Sequence, residues 1–308
     1  MTESNLMKQV NVLLSTYNGE RFLLEQLHSL YQQTYPKINI VVRDDGSSDS
    51  TLNILKKEVS EGKLVLLPAN ANVGPAASFL KLLEASGTAG FYAFCDQDDV
   101  WHPQKIEIAV EAISKMSPEI PVMYFSRVTY VDAENNVMKL SPLPKFVGFG
   151  NALVENVATG CTVVINKAAK DLIVRYLPKQ CLMHDSWCYL LISCFGKVIF
   201  DPISHINYRQ HSANTIGASM STLQTIFRRF KRFRFDKNDH FKYTNQAEQF
   251  LNLYSDQLPS DKQELLQQFV DVGSSFKSRI CLALSKHIWR QSVIDNIIVR
   301  ILILINRF

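Results

Sequence analysis

Phe91–Cys95 (FYAFC) running into Asp96-Gln97-Asp98-Asp99 is the stretch on which the fold turns. Five apolar residues ended by a polar cluster are too few for a helix and read as a strand buried on both faces. The flanks follow the same rhythm. Upstream, Val10–Ser15 (VNVLLS), Ile38–Arg43 (INIVVR) and Leu64–Leu67 are short apolar runs. Each is followed by a helical pattern: Leu23, Leu24, Leu27, Leu30 and Tyr31; then Leu52, Leu55 and Val59; then Pro75–Ala85, with Pro75 suited to a first turn. Downstream, Pro103 opens a helix through Ile106, Ala109, Val110 and Ile113. Strand–helix alternation builds a parallel sheet covered by helices. Ligands of such sheets bind outside the carboxyl ends of the strands. Ser15-Thr16-Tyr17, Asp44-Asp45 and Asp96-Gln97-Asp98 share that address.

Further along, Val122–Val131 and Val137–Leu140 flank a turn at Asp132–Asn136, and Ser141–Asn151 reads as a loop. Val157–Ile165 reads as a strand, and Leu172–Tyr176 and Ser186–Cys194 as helical. Lys197–Phe200 and His205–Tyr208 read as two short strands. From Ser221 onward the pattern is helical only. The expected fold class is therefore α/β, with residues 1–220 as one body in two halves, 1–115 and 116–220. Residues 221–308 form a basic helical extension.

Each polar cluster has two readings. Asp96 and Asp98 supply paired oxygen ligands suited to a hard divalent cation, or they form an acidic turn with Asp99 capping the following helix. A carboxylate of Asp44-Asp45 matches the imide N–H donor of a pyrimidine base. The same run to Thr51 equally makes a turn, with Asp49 or Ser50 as a cap. Asp185 suits a general base or an N-cap. Arg209 and His211 suit a diphosphate or a metal, and equally an ordinary hydrogen-bonded surface.

The order of these segments carries more than any one of them. VNVLLSTYNG (10–19), RDDGSSDST (43–51), NVG (72–74), DQDDVWHPQKI (96–106), HDSW (184–187) and YRQHSAN (208–214) together resemble the family-two inverting glycosyltransferases of GT-A fold over about residues 8–217. The wording of the DQDDVW, HDSW and YRQHSAN segments is most similar to bacterial rhamnosyltransferases of surface-polysaccharide assembly. The resemblance implies a mixed GT-A sheet and a nucleotide-sugar donor, dTDP-L-rhamnose or a UDP-sugar. It implies Mg2+ or Mn2+ as cofactor, and an acceptor that is a polysaccharide or a polyprenyl-linked glycan. By position it makes Thr16 and Tyr17 line the base, and Asp45 bind its imide with Asp44 beside it. Asp96 would contact ribose or diphosphate and Asp98 the metal, with His211 facing diphosphate or metal. Asp185 would be the catalytic base. A glutamate usually precedes that base; here His184 stands instead.

Composition limits the alternatives. The apolar share is 46% and the charged share 20%, values of a globular chain. A net charge of +4 and the lack of a recognised binding motif argue against nucleic acid. The charge is uneven: residues 221–308 hold 14 basic and 8 acidic side chains, leaving the rest net −2. Phe227–Lys237 (FRRFKRFRFDK) interleaves basic and aromatic residues, as for a peripheral contact with anionic lipid or a solvated helix face. Val293–Ile305 is too short and too charged to span a bilayer. It suits a membrane interface, packing on the catalytic body or a homodimer. The six cysteines form no Cys-x-x-Cys pair, and Met1–Val10 lacks an apolar signal-peptide core. A cytoplasmic enzyme at the inner face of the plasma membrane is expected. A non-catalytic sugar-nucleotide binder of this fold has no use for a base. A sugar nucleotidyltransferase would carry a Gly-rich loop where STYNG stands.

Overall fold

A computed structural model describes residues 8–69, 71–211 and 243–307. The first half alternates as expected: β1 (Val10–Thr16), α1 (Leu23–Tyr31), β2 (Ile38–Asp44), α2 (Thr51–Ser60), β3 (Val65–Leu67), α3 (Pro75–Ala85) and β4 (Phe91–Cys95). A two-residue strand, β5 (Val100–Trp101), precedes α4 (Lys105–Ser114). Then come β6 (Val122–Val131), β7 (Val137–Leu140), α5 (Phe149–Ala152), β8 (Val164–Asn166), α6 (Lys167–Arg175), α7 (His184–Phe195) and β9 (Lys197–Arg209). The tail supplies α8 (Tyr243–Tyr254), α9 (Ser260–Val270), α10 (Phe276–Leu284) and α11 (Val293–Leu304).

One nine-stranded sheet runs β3-β2-β1-β4-β8-β6-β9-β5, with β7 on the edge of β6. β1 to β4 are mutually parallel, as βαβ crossovers require. β8 runs antiparallel to both β4 and β6, so the sheet is mixed, as the GT-A expectation has it. The register puts Thr16 beside Asp44 and Leu14 beside Cys95, so β1, β2 and β4 deliver their polar ends to one edge.

Alternation along the strands divides the core by face. Val10, Val12 and Leu14 pack with Leu23, Leu27, Leu55 and Ile106 from α1, α2 and α4. Leu13 and Phe94 point the other way, toward Phe79 of α3 and Trp187 and Leu191 of α7. The tail joins this second core: Phe250, Tyr254, Leu266 and Phe269 are buried in it, and the Tyr254 hydroxyl donates to Leu172 O at 2.9 Å. Gly150 packs so closely on the His287 carbonyl that a Cβ would overlap it. Asn151 donates to Trp289 O at 3.0 Å.

Several boundaries differ from the sequence reading. The loop at 141–151 contains α5. The strand expected over Val157–Ile165 is a 3-10 turn (Gly160–Thr162) and then β8, because β8 pairs with β4 and β6 only from Val164 on. The two short strands after Lys197 are one strand, β9, whose register on β6 slips near Ser126–Thr129. The run 227–237 and the boundary at residue 220 lie outside the described residues. No helix among the described residues is long and apolar enough to cross a membrane.

Candidate active site

The site gathers at the carboxyl edge of β1, β2 and β4. The loop after β1 is clamped to the loop after β4 by one side chain: Gln97 Oε1 accepts from Tyr17 N and Gln97 Nε2 donates to Tyr17 O, both at 2.9 Å. A Cβ on Gly19 would strike that amide at 2.2 Å, so a larger residue there would have to displace the Gln97 side chain and with it the clamp. Tyr17 itself is half exposed at the mouth, whereas Thr16 is buried.

Asp44 and Asp45 are both buried and fully engaged. Asp44 accepts from Thr16 Oγ1 (2.8 Å), Ser47 Oγ (2.5 Å), Ser47 N (2.8 Å) and Gly46 N (3.2 Å). Asp45 pairs with Arg43 and accepts from Val73 N and Gly74 N at 2.9 and 2.8 Å. A carboxylate offers about four lone-pair directions, and these contacts use them. Both therefore shape the loops at this edge, tying the 43–51 and 72–74 segments together. Asp49 accepts from Thr51 N and Glu20 N at the start of α2, and Ser50 makes no capping bond.

Asp98 Oδ2 lies 2.8 Å from His211 Nε2, bringing together two groups separated by 113 residues. His211 also packs on Phe22, ring centroids 4.9 Å apart. Arg209 is not offered to solvent. Its guanidinium is buried over the Phe22 ring, donates to Asp98 O and Ala133 O, and pairs with Glu25 at 2.6 Å. Asp99 does not cap α4, whose N-cap is Gln104; it is buried and accepts from Arg209 N at 3.1 Å. Arg209 and Asp99 thus lock β9 behind the Asp98 loop.

Asp96 is pushed up to about 8, first by burial and then by the charges of Asp98 and Asp185. Crowded carboxylates of this kind create a demand for a cation, and their oxygens are the donors that suit Mg2+ or Mn2+. Among the described residues, Asp96 also clusters with Asp99 and Cys161, ligand atoms within 4.8 Å. Burial pushes the Cys161 thiol well up, so that group presents a protonated thiol, unsuited to a hard cation. Beneath the loop, the Lys105 ammonium sits 3.4 Å over the Trp101 ring, and burial pushes it down to about 8. In the sequence Lys105 is one residue of the DQDDVWHPQKI segment, and nothing local in that segment signals its burial over Trp101.

Asp185 lies close enough to Asp96 for its charge to raise that carboxyl. Its expected N-cap role is not observed: Met183 is the N-cap of α7 and Asp185 lies inside the first turn. Its Oδ1 accepts from Ser186 N at 2.6 Å. Burial pushes Asp185 up to about 6, opposed by hydrogen bonds from Ser186 N, the Asn156 side chain and Gly160 N. Asn156 Oδ1 accepts from Ala158 N at 3.0 Å, which turns its amide N–H toward Asp185. His184 is buried between aromatics, stacked on Phe79 at 4.0 Å and edge-on to Phe94 at 4.8 Å. Neither ring nitrogen has a hydrogen-bond partner among the described residues, and burial pushes the imidazole down to about 3. A Cβ on Gly160 would come within 2.9 Å of His184 Nε2, so that glycine admits the close packing.

The sequence profile of Glycosyl transferase family 2 matches residues 11–169, just over half of the chain and most of this edge. The chain belongs to that family. Glycosyl transfer is thus the chemistry to which this cleft is built. The dTDP-rhamnosyl transferase RfbG of Shigella flexneri is 26% identical over 96% of this chain and 100% of its own length. The UDP-Glc:alpha-D-GlcNAc-diphosphoundecaprenol beta-1,3-glucosyltransferase WfgD of Escherichia coli is 30% identical over 51% of this chain and 59% of its own length. Among solved structures, the mannosyltransferase PcManGT from Pyrobaculum calidifontis, in complex with GDP-Man and Mn2+, superposes with a TM-score of 0.52 at 15% identity. That match covers 98% of this chain and 88% of that one, and supports the GT-A fold.

Proposed function

We propose that the protein is an inverting, metal-dependent rhamnosyltransferase of bacterial cell-surface polysaccharide synthesis. It would move L-rhamnose from dTDP-L-rhamnose to a hydroxyl of a polysaccharide or polyprenyl-linked saccharide. The observation that carries the inverting reading is Asp185: a buried carboxylate at about 6, close to the acidic donor loop. A base there is ionised at neutral pH yet still accepts a proton. The rhamnosyl donor is supported by likeness to RfbG along the full length. A UDP-sugar is the second reading, favoured by likeness to WfgD over half of the chain.

The steps follow from the groups. Thr16, Tyr17 and the loops ordered by Asp44 and Asp45 would seat the base, and Asp96 the ribose or diphosphate. A divalent cation held by Asp98 and His211, with Asp96 adjacent, would supply positive charge to the departing diphosphate. Arg209 would act through them, holding Asp98 and His211 in place. The acceptor oxygen bonds to the anomeric carbon as the bond from that carbon to the diphosphate oxygen breaks, and Asp185 takes the hydroxyl proton. One displacement inverts the configuration and needs no covalent nucleophile. A lipid-linked acceptor would bring the enzyme to the inner face of the plasma membrane.

Turnover across a panel of dTDP- and UDP-sugars, with Mg2+ or Mn2+ and with excess chelator, tests this. Preference for dTDP-L-rhamnose is expected. Preference for a UDP-sugar selects the second reading, and full activity in chelator removes the metal.

A further inference from the structure

The tail divides by charge and by surface. Residues 243–275, which form α8 and α9, carry one basic and five acidic side chains. Residues 276–307, which form α10 and α11, carry six basic and one acidic, a net of +5. This basic hairpin is also where apolar surface is exposed. Val293, Ile297, Ile301 and Ile305 form a row at spacing four, each more than half exposed. Phe276, Ile280 and Leu284 form a second row on α10, with Leu284 74% exposed. The opposite side of α11, at Val299 and Ile303, is buried in the core with Leu282 and Ala283.

The hairpin is pre-ordered. Arg300 Nη2 donates to Ser285 O at 3.0 Å and Ile288 O at 3.1 Å, and Nη1 to Ala283 O, closing the end of α10. Arg279 donates to Leu304 O at 3.3 Å at the other end, so the two helices run antiparallel. Its base rests on the 146–155 segment through Gly150, Asn151 and Gln291. That segment leads directly into Asn156 and Gly160, the residues holding Asp185.

We propose that the α10–α11 hairpin lies in the surface of an anionic bilayer with its two apolar rows inserted. Exposed apolar rows beside clustered basic residues are what an interfacial helix needs, the first for the acyl boundary and the second for the headgroups. Charge selects this occupant over two others. Arg290 pairs with Glu155, and Arg279 and Arg300 bind carbonyls, so the exposed cations of the hairpin are Lys277, Lys286 and Arg307. A second copy meeting through the same face would set these like charges together. Residues 212–242 carry seven basic and two acidic side chains, and would be repelled as well. Docked in this way, the hairpin holds the acceptor side of the cleft next to the membrane. The proposal rests on the lipid-linked acceptor reading for its use, and the binding itself does not depend on it.

The experiment is co-sedimentation of the full chain with phosphatidylcholine vesicles with and without phosphatidylglycerol. The wild type should bind the anionic vesicles at least tenfold better, less so at high salt. Ile297→Asp/Ile301→Asp should lower that binding at least tenfold while turnover on a soluble acceptor stays unchanged. If the Asp pair does not fold, Ile297→Ser/Ile301→Ser replaces it. Lys277→Glu/Lys286→Glu should lower binding to the anionic vesicles alone. Wild-type failure to bind overturns the proposal. So does unchanged binding of the isoleucine variants when neutralising 227–237 removes it. A wild-type dimer by light scattering that the isoleucine variants split, without vesicle binding, overturns it in favour of a second copy. Lack of turnover with every donor speaks against the transferase reading and leaves the vesicle result intact.

Discussion

Asp98 and Asp185 are two carboxylates of one cleft, held in opposite ways. Asp98 has an imidazole partner, His211, at 2.8 Å, and the carboxylates at the end of β2 are likewise matched. Arg43 serves Asp45, and hydroxyls and amides serve Asp44. Asp185 is buried, with hydrogen-bond donors from Ser186, Asn156, Gly160 and its own backbone and no cationic partner among the described residues. Donors favour the ionised form, but burial outweighs them and the group rises to about 6. The same residue type is therefore held with polar partners on both sides of its charge in one place and with burial outweighing its partners in the other, the difference on which the proposed roles of ligand and base rest.

The comparison can be broken most sharply at Asp185. Asp185→Asn keeps size and hydrogen bonding but loses basicity, so transfer should fall about 10²–10⁴-fold while nucleotide affinity and melting temperature hold. Near-normal turnover removes Asp185 from the mechanism. Asp98→Asn should cost about 10²–10³-fold in kcat/KM and, unlike the first variant, weaken donor binding in Mn2+ or Mg2+. Titration calorimetry with the nucleotide separates the two.

Smaller effects sharpen the contrast. At saturating metal, kcat/KM should fall tenfold per unit as pH drops below about 6, because the base must be ionised. His184, at about 3, and Cys181, pushed up to about 12, stay neutral across that range, and burial raises Cys188 further. Asn156→Ala removes a donor to the charged form and should move this limb to higher pH, by about one unit. A limb that stays put denies Asn156 that part. The smallest effect belongs to His184. Its imidazole is pushed down from 6.5 to about 3, so the unfolded chain binds the extra proton and stability falls as pH drops below 6.5. At pH 5 that loss is about 2 kcal/mol. His184→Phe should erase it, seen as a smaller shift of the urea midpoint between pH 7.5 and 5 than in the wild type.

Much of the donor half was legible because its signals are local. A strand of five apolar residues and its polar end lie within ten residues of each other, and βαβ handedness does the rest. The family wording named Asp98, Asp185 and His211 as candidates. Helix starts were less legible. Asp99 and Asp185 both looked like caps, since a carboxylate near a helix start is a common cap, and both turned out to be buried within the site. Arg209 looked like a phosphate ligand and is instead enclosed by Phe22, Glu25 and Ala133, residues far from it in sequence.

The sequence alone determined the alternation of β1 through α4, the shared edge of the polar loops and the basic, helical character of the tail. These follow from periodicity and composition, which the chain carries residue by residue. The tertiary structure decided what long-range contact decides. It set Asp98 against His211, clamped Tyr17 with Gln97 and stacked His184 on Phe79. It folded the tail into the core of α7, leaving one face of α11 uncovered. A side chain's charge state and exposure depend on what surrounds it, and for these residues the surroundings come from distant parts of the chain.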